Sequence, residues 1–404
     1  MAGAPRALGV PCSRLALPVL LLMVALVVEG APTTATAAPA VRTRPAQSVD
    51  VAVLPPIAQP GFTPAAPELA STVVIATVRP KTRGRRASLE VRRQGRWSVV
   101  ATARTGAGGR VMFTAATTVD VRPAMYRVRA AAYRGLADVR SAPVRASAWG
   151  SPAFVDGFDG AALGPVWEHR IQFHNPWGGR SCSRGNPAAV AVGDGALRLS
   201  VLPDLEEAAP CYPDDGEGNY LGDVPYAYRL NGHVSTQQSA DFQYGVAAAR
   251  MRFPRDRGQH AAFWLQPRGL LPDRPTPWGA EIDVVEWFGS TGSRQSLAST
   301  VYRPAPDGST VRIGGRYDDP DRFLDSRSDT WWGSYHVFSV EWTPTRYVFR
   351  IDGRETWRTS EGISHHPQFL ILSQLSSDYE LADNPDATPA HADVDWVQFW
   401  RARN

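Results

Sequence analysis

Three carboxylates fall within six residues, Glu281-Ile282-Asp283-Val284-Val285-Glu286, in a run whose other members are β-branched and apolar. Such a run reads as a buried or half-buried strand. Acids there are costly unless they are paired or put to use. Side chains alternate along a strand, so Glu281 and Asp283 share a face, about 6.7 Å apart along the axis. Glu286 would point the opposite way in a regular strand. A single β-bulge across Val284-Val285 restores it, because the extra residue does not advance the alternation. All three acids then line one surface, while Ile282 and one of the valines face the core. Two flanking glutamates with an aspartate between them suit retaining glycoside hydrolysis, whose paired carboxyls stand roughly 5–5.5 Å apart. Taken alone, the six residues fit a metal-binding or merely solvated acidic strand as well.

Downstream of Trp149 no long helical period appears. Short β-rich runs recur instead, among them Ala196–Leu202, Val246–Arg252, Val337–Trp342 and Tyr347–Ile351. These predict an all-β chain of two packed antiparallel sheets. The runs also carry an ordered series of motifs. Phe158-Asp159-Gly160 with Trp167 opens it. Tyr228-Arg229-Leu230-Asn231-Gly232, Tyr244-Gly245 and Arg250 follow, then Ala262-Phe263-Trp264-Leu265 and Trp278-Gly279-Ala280 before the acidic run. His336–Trp342, Ile351-Asp352-Gly353 and Val394–Trp400 close it. In this order they resemble glycoside hydrolase family 16, in the bulge-containing branch whose members cleave β-glucans and galactans.

The resemblance implies a jelly-roll catalytic domain with a concave glycan cleft. It makes Glu281 the nucleophile and Glu286 the acid/base, which starts protonated near neutral pH. Asp283 hydrogen-bonds the nucleophile and tunes that pKa. The chemistry needs no metal. Many family members hold one structural calcium ion on the convex side, and Asp159 and Asp395 are the candidate ligands here. Several segments depart from the family: Gly178–Ser183, His260-Ala261, Ala248-Ala249-Arg250 and Ser299–Tyr302. Sugar and linkage therefore stay open between β-glucans and galactans. A transglycosylase on the same substrates, or a non-catalytic glycan-binding protein, are the competing readings.

Sugar rings present apolar C–H faces, so aromatics line glycan clefts. Trp264, Trp278 and Trp332 are the candidates, with Tyr228, Arg229 and His336 as polar contacts. By alternation Trp287 points away from Glu286, into the core.

The chain divides into four parts. Residues 1–38 read as a signal peptide, with Arg6 and Arg14 ahead of an apolar run from Leu15 to Val28, too short for a membrane anchor. Residues 39–69, rich in Pro, Ala and Thr, read as a solvated linker. Residues 70–148 show short alternating strands with Gly- and Arg-containing turns, indicating a small immunoglobulin-like or fibronectin-like β-sandwich. The jelly-roll domain takes 149–404. The basic stretch carries 16 Arg or Lys against three acids. An anionic cell-wall polymer is the partner that this charge suggests, beside the polysaccharide substrate. Export argues against nucleic acid, and a monomer meets every requirement. After the signal only Cys182 and Cys211 remain, and they are expected to form one disulfide in an oxidising compartment.

Overall fold

The computed structural model describes residues 46–175, 179–214, 219–222, 224–268, 279–291, 295–386 and 389–402. The expected signal peptide, the first residues of the expected linker and Trp278 lie outside the described residues.

The longer N-terminal strands are β1 (Ser48–Ala58), β2 (Ser71–Arg79), β3 (Arg86–Arg93), β4 (Arg96–Arg104), β5 (Arg110–Ala115) and β6 (Met125–Ala130). They form a three-stranded sheet, β1-β2-β5, and a five-stranded sheet built on β6-β3-β4. Val74, Ala76, Val111 and Phe113 of the first sheet meet Leu89, Val91, Tyr126 and Val128 of the second in one core.

The C-terminal part is a single antiparallel-dominated sheet curled into two layers, an all-β jelly-roll arrangement. Its longer strands are β7 (Ala196–Pro203), β8 (Arg229–Ser235), β9 (Gly245–Arg252), β10 (His260–Pro267), β11 (Glu281–Ser290), β12 (Gln295–Pro304), β13 (Thr310–Arg316), β14 (His336–Thr343), β15 (Arg346–Ile351), β16 (Arg354–Thr359), β17 (Gln368–Leu375) and β18 (Ala390–Arg401). Their order is β13-β12-β11-β10-β17-β8-β7-β18-β9-β14-β15-β16. Phe263, Leu265, Ile282, Val285, Leu370 and Leu372 of the first layer pack on Ala249, Phe338, Val340, Val397 and Phe399 of the second. Cys182 and Cys211 are joined, with Cα atoms 5.6 Å apart.

The described part of the expected linker, 46–69, differs from that expectation. From Ser48 to Ala58 it is strand β1, hydrogen-bonded along β2. The reason lies in β2, whose run Val73-Val74-Ile75-Ala76 is apolar on both faces. Val74 and Ala76 enter the N-terminal core, whereas Val73 and Ile75 turn the other way. There Val73, Leu54 and Ile57 bury Val246, Ala248, Val337, Trp396 and Trp400 on the outer face of the curled sheet. Strands buried on both faces read as continuous hydrophobic runs, and β9 and β18 do so for the same reason.

Beyond β1, the backbone is latched to this face. Arg250, 1% exposed, donates to the Gln59 and Thr63 carbonyls at 2.6 and 3.0 Å. Trp396 Nε1 donates to Gln59 Oε1 at 2.6 Å. Gly353, at φ +75°, closes the β15–β16 turn against β2; a Cβ there would meet Val73 Cγ2 at 2.3 Å. A carboxylate placed in this contact has no partner, so Val73→Asp should cost several kcal/mol. Thermal denaturation should show a melting temperature lowered by many degrees, while Thr77→Asp on the same strand changes it little.

Candidate active site

The acidic run lies on β11, between β10 and β12. Its register on β10 slips by one residue: Trp264 opposes Asp283 and Phe263 opposes Val285, leaving Val284 without a partner. On β12, Asp283 opposes Thr300 and Glu286 opposes Ala298, with a shift between them. This is the bulge that the spacing required. It sends both valines, not one, into the core with Ile282 and Trp287. Glu281, Asp283 and Glu286 are left together on the other face.

Each acid has a distinct setting. Gln266 Nε2 donates to Glu281 Oε2 at 3.1 Å. Thr300 Oγ1 donates to Glu286 Oε2 at 2.8 Å, and His260 Nε2 lies 3.4 Å from Glu286 Oε1. His260 is itself stacked on Phe288, with centroids 4.5 Å apart and rings nearly parallel. Asp283 is buried between the two glutamates. Burial, then repulsion from Glu286, pushes the Glu281 carboxyl up to about 7. Burial and both glutamates push Asp283 well above the ordinary range. Burial acts on Glu286 in the same sense, but the His260 and Thr300 contacts outweigh it and hold this carboxyl below its usual value. These directions favour a proton on the Glu281–Asp283 side over one on Glu286, opposite in sense to the expectation that Glu286 starts protonated.

Trp264 stands beside the acids. Its ring is half-buried and stacks on His233 at 5.9 Å, with the Arg170 guanidinium 5.5 Å from its centre. The indole N–H donates to Ser373 Oγ at 3.1 Å. Tyr228 stacks on His174 at 4.8 Å, just before β8. The other expected contacts lie elsewhere. Arg229 is fully buried and donates to Ser376 Oγ at 3.0 Å and to the Asn384 carbonyl, so it braces loops and offers no face to a sugar. His336, 1% exposed, belongs to the other layer and is held by Asp352 at 2.8 Å and Asp329 at 3.2 Å. Trp332 packs towards Trp287, on the core side of β11, and lines a separate cavity of about 470 Å³ with Trp331 and Asp329.

The residues expected to hold calcium do not fit that ion. Asp395 is ion-paired with Arg250 and accepts the Ala65 N–H at 3.1 and 3.2 Å. Both carboxylate oxygens of Asp395 are thus already bonded, and Asp159 is exposed. Among the described residues no group of three or more His, Cys, Asp or Glu could hold a metal.

Sequence reasoning missed Gln266, His260, Thr300 and Arg170. Alternation from Trp264 along β10 gives Gln266 and His260 directly. Thr300 reaches the site through the β11–β12 register and Arg170 from a segment more than a hundred residues from Glu281, and alternation on β10 gives neither.

Together these features define an all-β protein with a row of three carboxylates, beside Trp264, on one face of a curled sheet. Residues 217–398 match the model of the family described as glycosyl hydrolases family 16, and this part of the chain is a domain of that family. Among curated proteins, the chain is 24% identical over 230 residues to the glucan endo-1,3-beta-glucosidase A1 of Niallia circulans, covering 52% of this chain and 30% of that protein. It is 26% identical over 200 residues to the beta-glucanase of Rhodothermus marinus, covering 44% and 65%. The chain thus spans less than two thirds of these relatives' lengths. Among solved structures, the laminarinase catalytic domain of Thermotoga maritima MSB8 superposes with a TM-score of 0.47 at 18% identity, over 63% of this chain and 99% of that one.

The raised Glu281 carboxyl links pH to stability. Its folded pKa lies above the unfolded value, so its contribution is fully present below about 4.5 and is lost as pH rises through about 7. Glu281→Gln should therefore raise the melting temperature by several degrees at pH 8, roughly 3 kcal/mol at 1.36 per pKa unit, and by little at pH 4. Calorimetry at the two pH values checks this.

Proposed function

We propose that the chain is a secreted, retaining endo-glycoside hydrolase acting on β-linked glucans, with β-1,3-glucan as the first substrate to test. The observation that carries the reading is the bulge at Val284, which gathers Glu281, Asp283 and Glu286 on one face beside the aromatic surface of Trp264. The names of the curated relatives support glucan as the substrate class. The Cys182–Cys211 disulfide supports export to an oxidising compartment.

In this reading Glu281 attacks the anomeric carbon, forming a glycosyl-enzyme bond as the bond to the leaving oxygen breaks. Glu286 gives its proton to that oxygen and then takes one from the water that cleaves the ester. Before Glu281 attacks, its proton passes to Glu286, while Asp283 stays protonated between them. Catalysis uses the form with anionic Glu281 and protonated Glu286, a minority arrangement of the same total charge. The dependence of kcat/KM on pH should be bell-shaped, with limbs that belong to the coupled acids together.

Glu281→Ala and Glu286→Ala should each lower kcat/KM on β-1,3-glucan by about 10³-fold or more. Azide then separates their roles. With Glu281→Ala it should give the α-glycosyl azide by a single inversion, and with Glu286→Ala the β-glycosyl azide by two. Exchanged products would reverse the assignment, and full turnover by either variant would sink it.

A further inference from the structure

We propose that Arg312 and Arg316 form an anion-binding subsite along the carboxylate row, and that the glycan taken by this cleft carries sulfate or carboxylate substituents. The proposal rests on the hydrolase reading and names the substrate class of the same site.

Strand register carries it. Glu281 opposes Tyr302, which opposes Arg312; Glu286 opposes Ala298, which opposes Arg316. Directly opposed residues share a face, so both arginines stand on the acid-bearing face. Ile313, between them in sequence, packs against the core on the other face. β13 runs two strand spacings, about 10 Å, from β11, so a flexible arginine reaches over a sugar held at the acids.

The local sequence keeps this edge open. Gly314, between the two arginines, sits at φ +90°, where a Cβ would turn to Trp357 and meet its Cζ2 at 2.6 Å, so no side chain stands between the two guanidinium groups. At Gly315, φ +140°, a Cβ would lie 2.6 Å from Arg312 Nη2, so glycine leaves room for the guanidinium. Arg316 lies over the Phe288 ring, 4.8 Å from its centre.

Both arginines are exposed, and neither is ion-paired to a described carboxylate, whereas Arg198 and Arg252 elsewhere both bind Asp393. The long-range field of Arg312 favours ionised Glu286. Guanidinium groups left in water beside a cleft are suited to sulfate or carboxylate, which they hold with charge-assisted paired hydrogen bonds. A neutral glucan leaves them unused.

The test is binding by the full chain carrying Glu281→Gln, measured calorimetrically with a neutral β-1,3-gluco-oligosaccharide, its sulfated derivative and its C6-oxidised derivative. At 50 mM salt one or both anionic ligands should bind about tenfold more tightly than the neutral one, and 500 mM salt should shrink that advantage. The two anionic arms separate sulfate from carboxylate. Adding Arg312→Gln and Arg316→Gln should bring the affinity ratio near one, and Arg312→Lys with Arg316→Lys should restore part of it. Equal or weaker binding of both anionic ligands overturns the proposal. So does a ratio unmoved by the glutamine pair, since arginines that only balance the acids would alter all affinities alike. Failure of the wild-type chain to cleave any glucan would sink the hydrolase reading and leave this ratio measurable.

Discussion

The unpaired residue Val284 is the constraint on which the site depends. On one side of β11, Ile282, Val284, Val285 and Trp287 are anchored in the core of the curled sheet. On the other, three carboxyls share a small, largely buried space. A regular strand would drive Glu286 into that core and Trp287 out of it, since a one-residue slip exchanges the two faces. The bulge removes the conflict and leaves one valine without a partner on β10. Because the core side is tightly filled, the acids cannot drift apart by local relaxation.

The outer layer poses the opposite problem. Its strands carry apolar side chains on both faces, and Trp396 and Trp400 would be wetted if nothing covered them. The N-terminal sheet covers them through β1 and β2. The backbone at Gln59 and Thr63 then satisfies the buried Arg250, whose charge is balanced by Asp395. Breaking such a buried pair from one side is costly, so the latch and the ion pair hold each other in place. The two folded parts therefore behave as one body, and the expected calcium ligand serves the contact between them.

Electrostatics in the site follows from who faces whom. Three acids with little access to water cannot all be ionised, and the proton stays where least compensates the charge. His260 and Thr300 compensate Glu286, whereas Asp283 meets only its two neighbours. Arg170 acts on Glu281 from the Trp264 side, and Arg312 on Glu286 from the far edge. The carboxylates thus lie between cations, within a domain that is otherwise net acidic.

How much was legible beforehand can be traced residue by residue. The period of two along 281–287 requires a bulge if the three acids are to act together, and the same period turns Trp287 inward. The all-β character and the disulfide also follow from local pattern and from a count of cysteines. Arg229 and His336 look like polar contacts in sequence because a string cannot show that Ser376, Asn384, Asp329 and Asp352 close around them. Residues 48–58 look like linker because a strand covering another domain's outer face needs only a few apolar positions. Alternation, charge and composition act over a few neighbouring residues and are written in the chain itself. The approach of Arg170 to the acids, the burial of Arg250 against Gln59 and Asp395, and the setting of the three carboxyls depend on segments about a hundred residues or more apart, and only the closed tertiary structure brings these together.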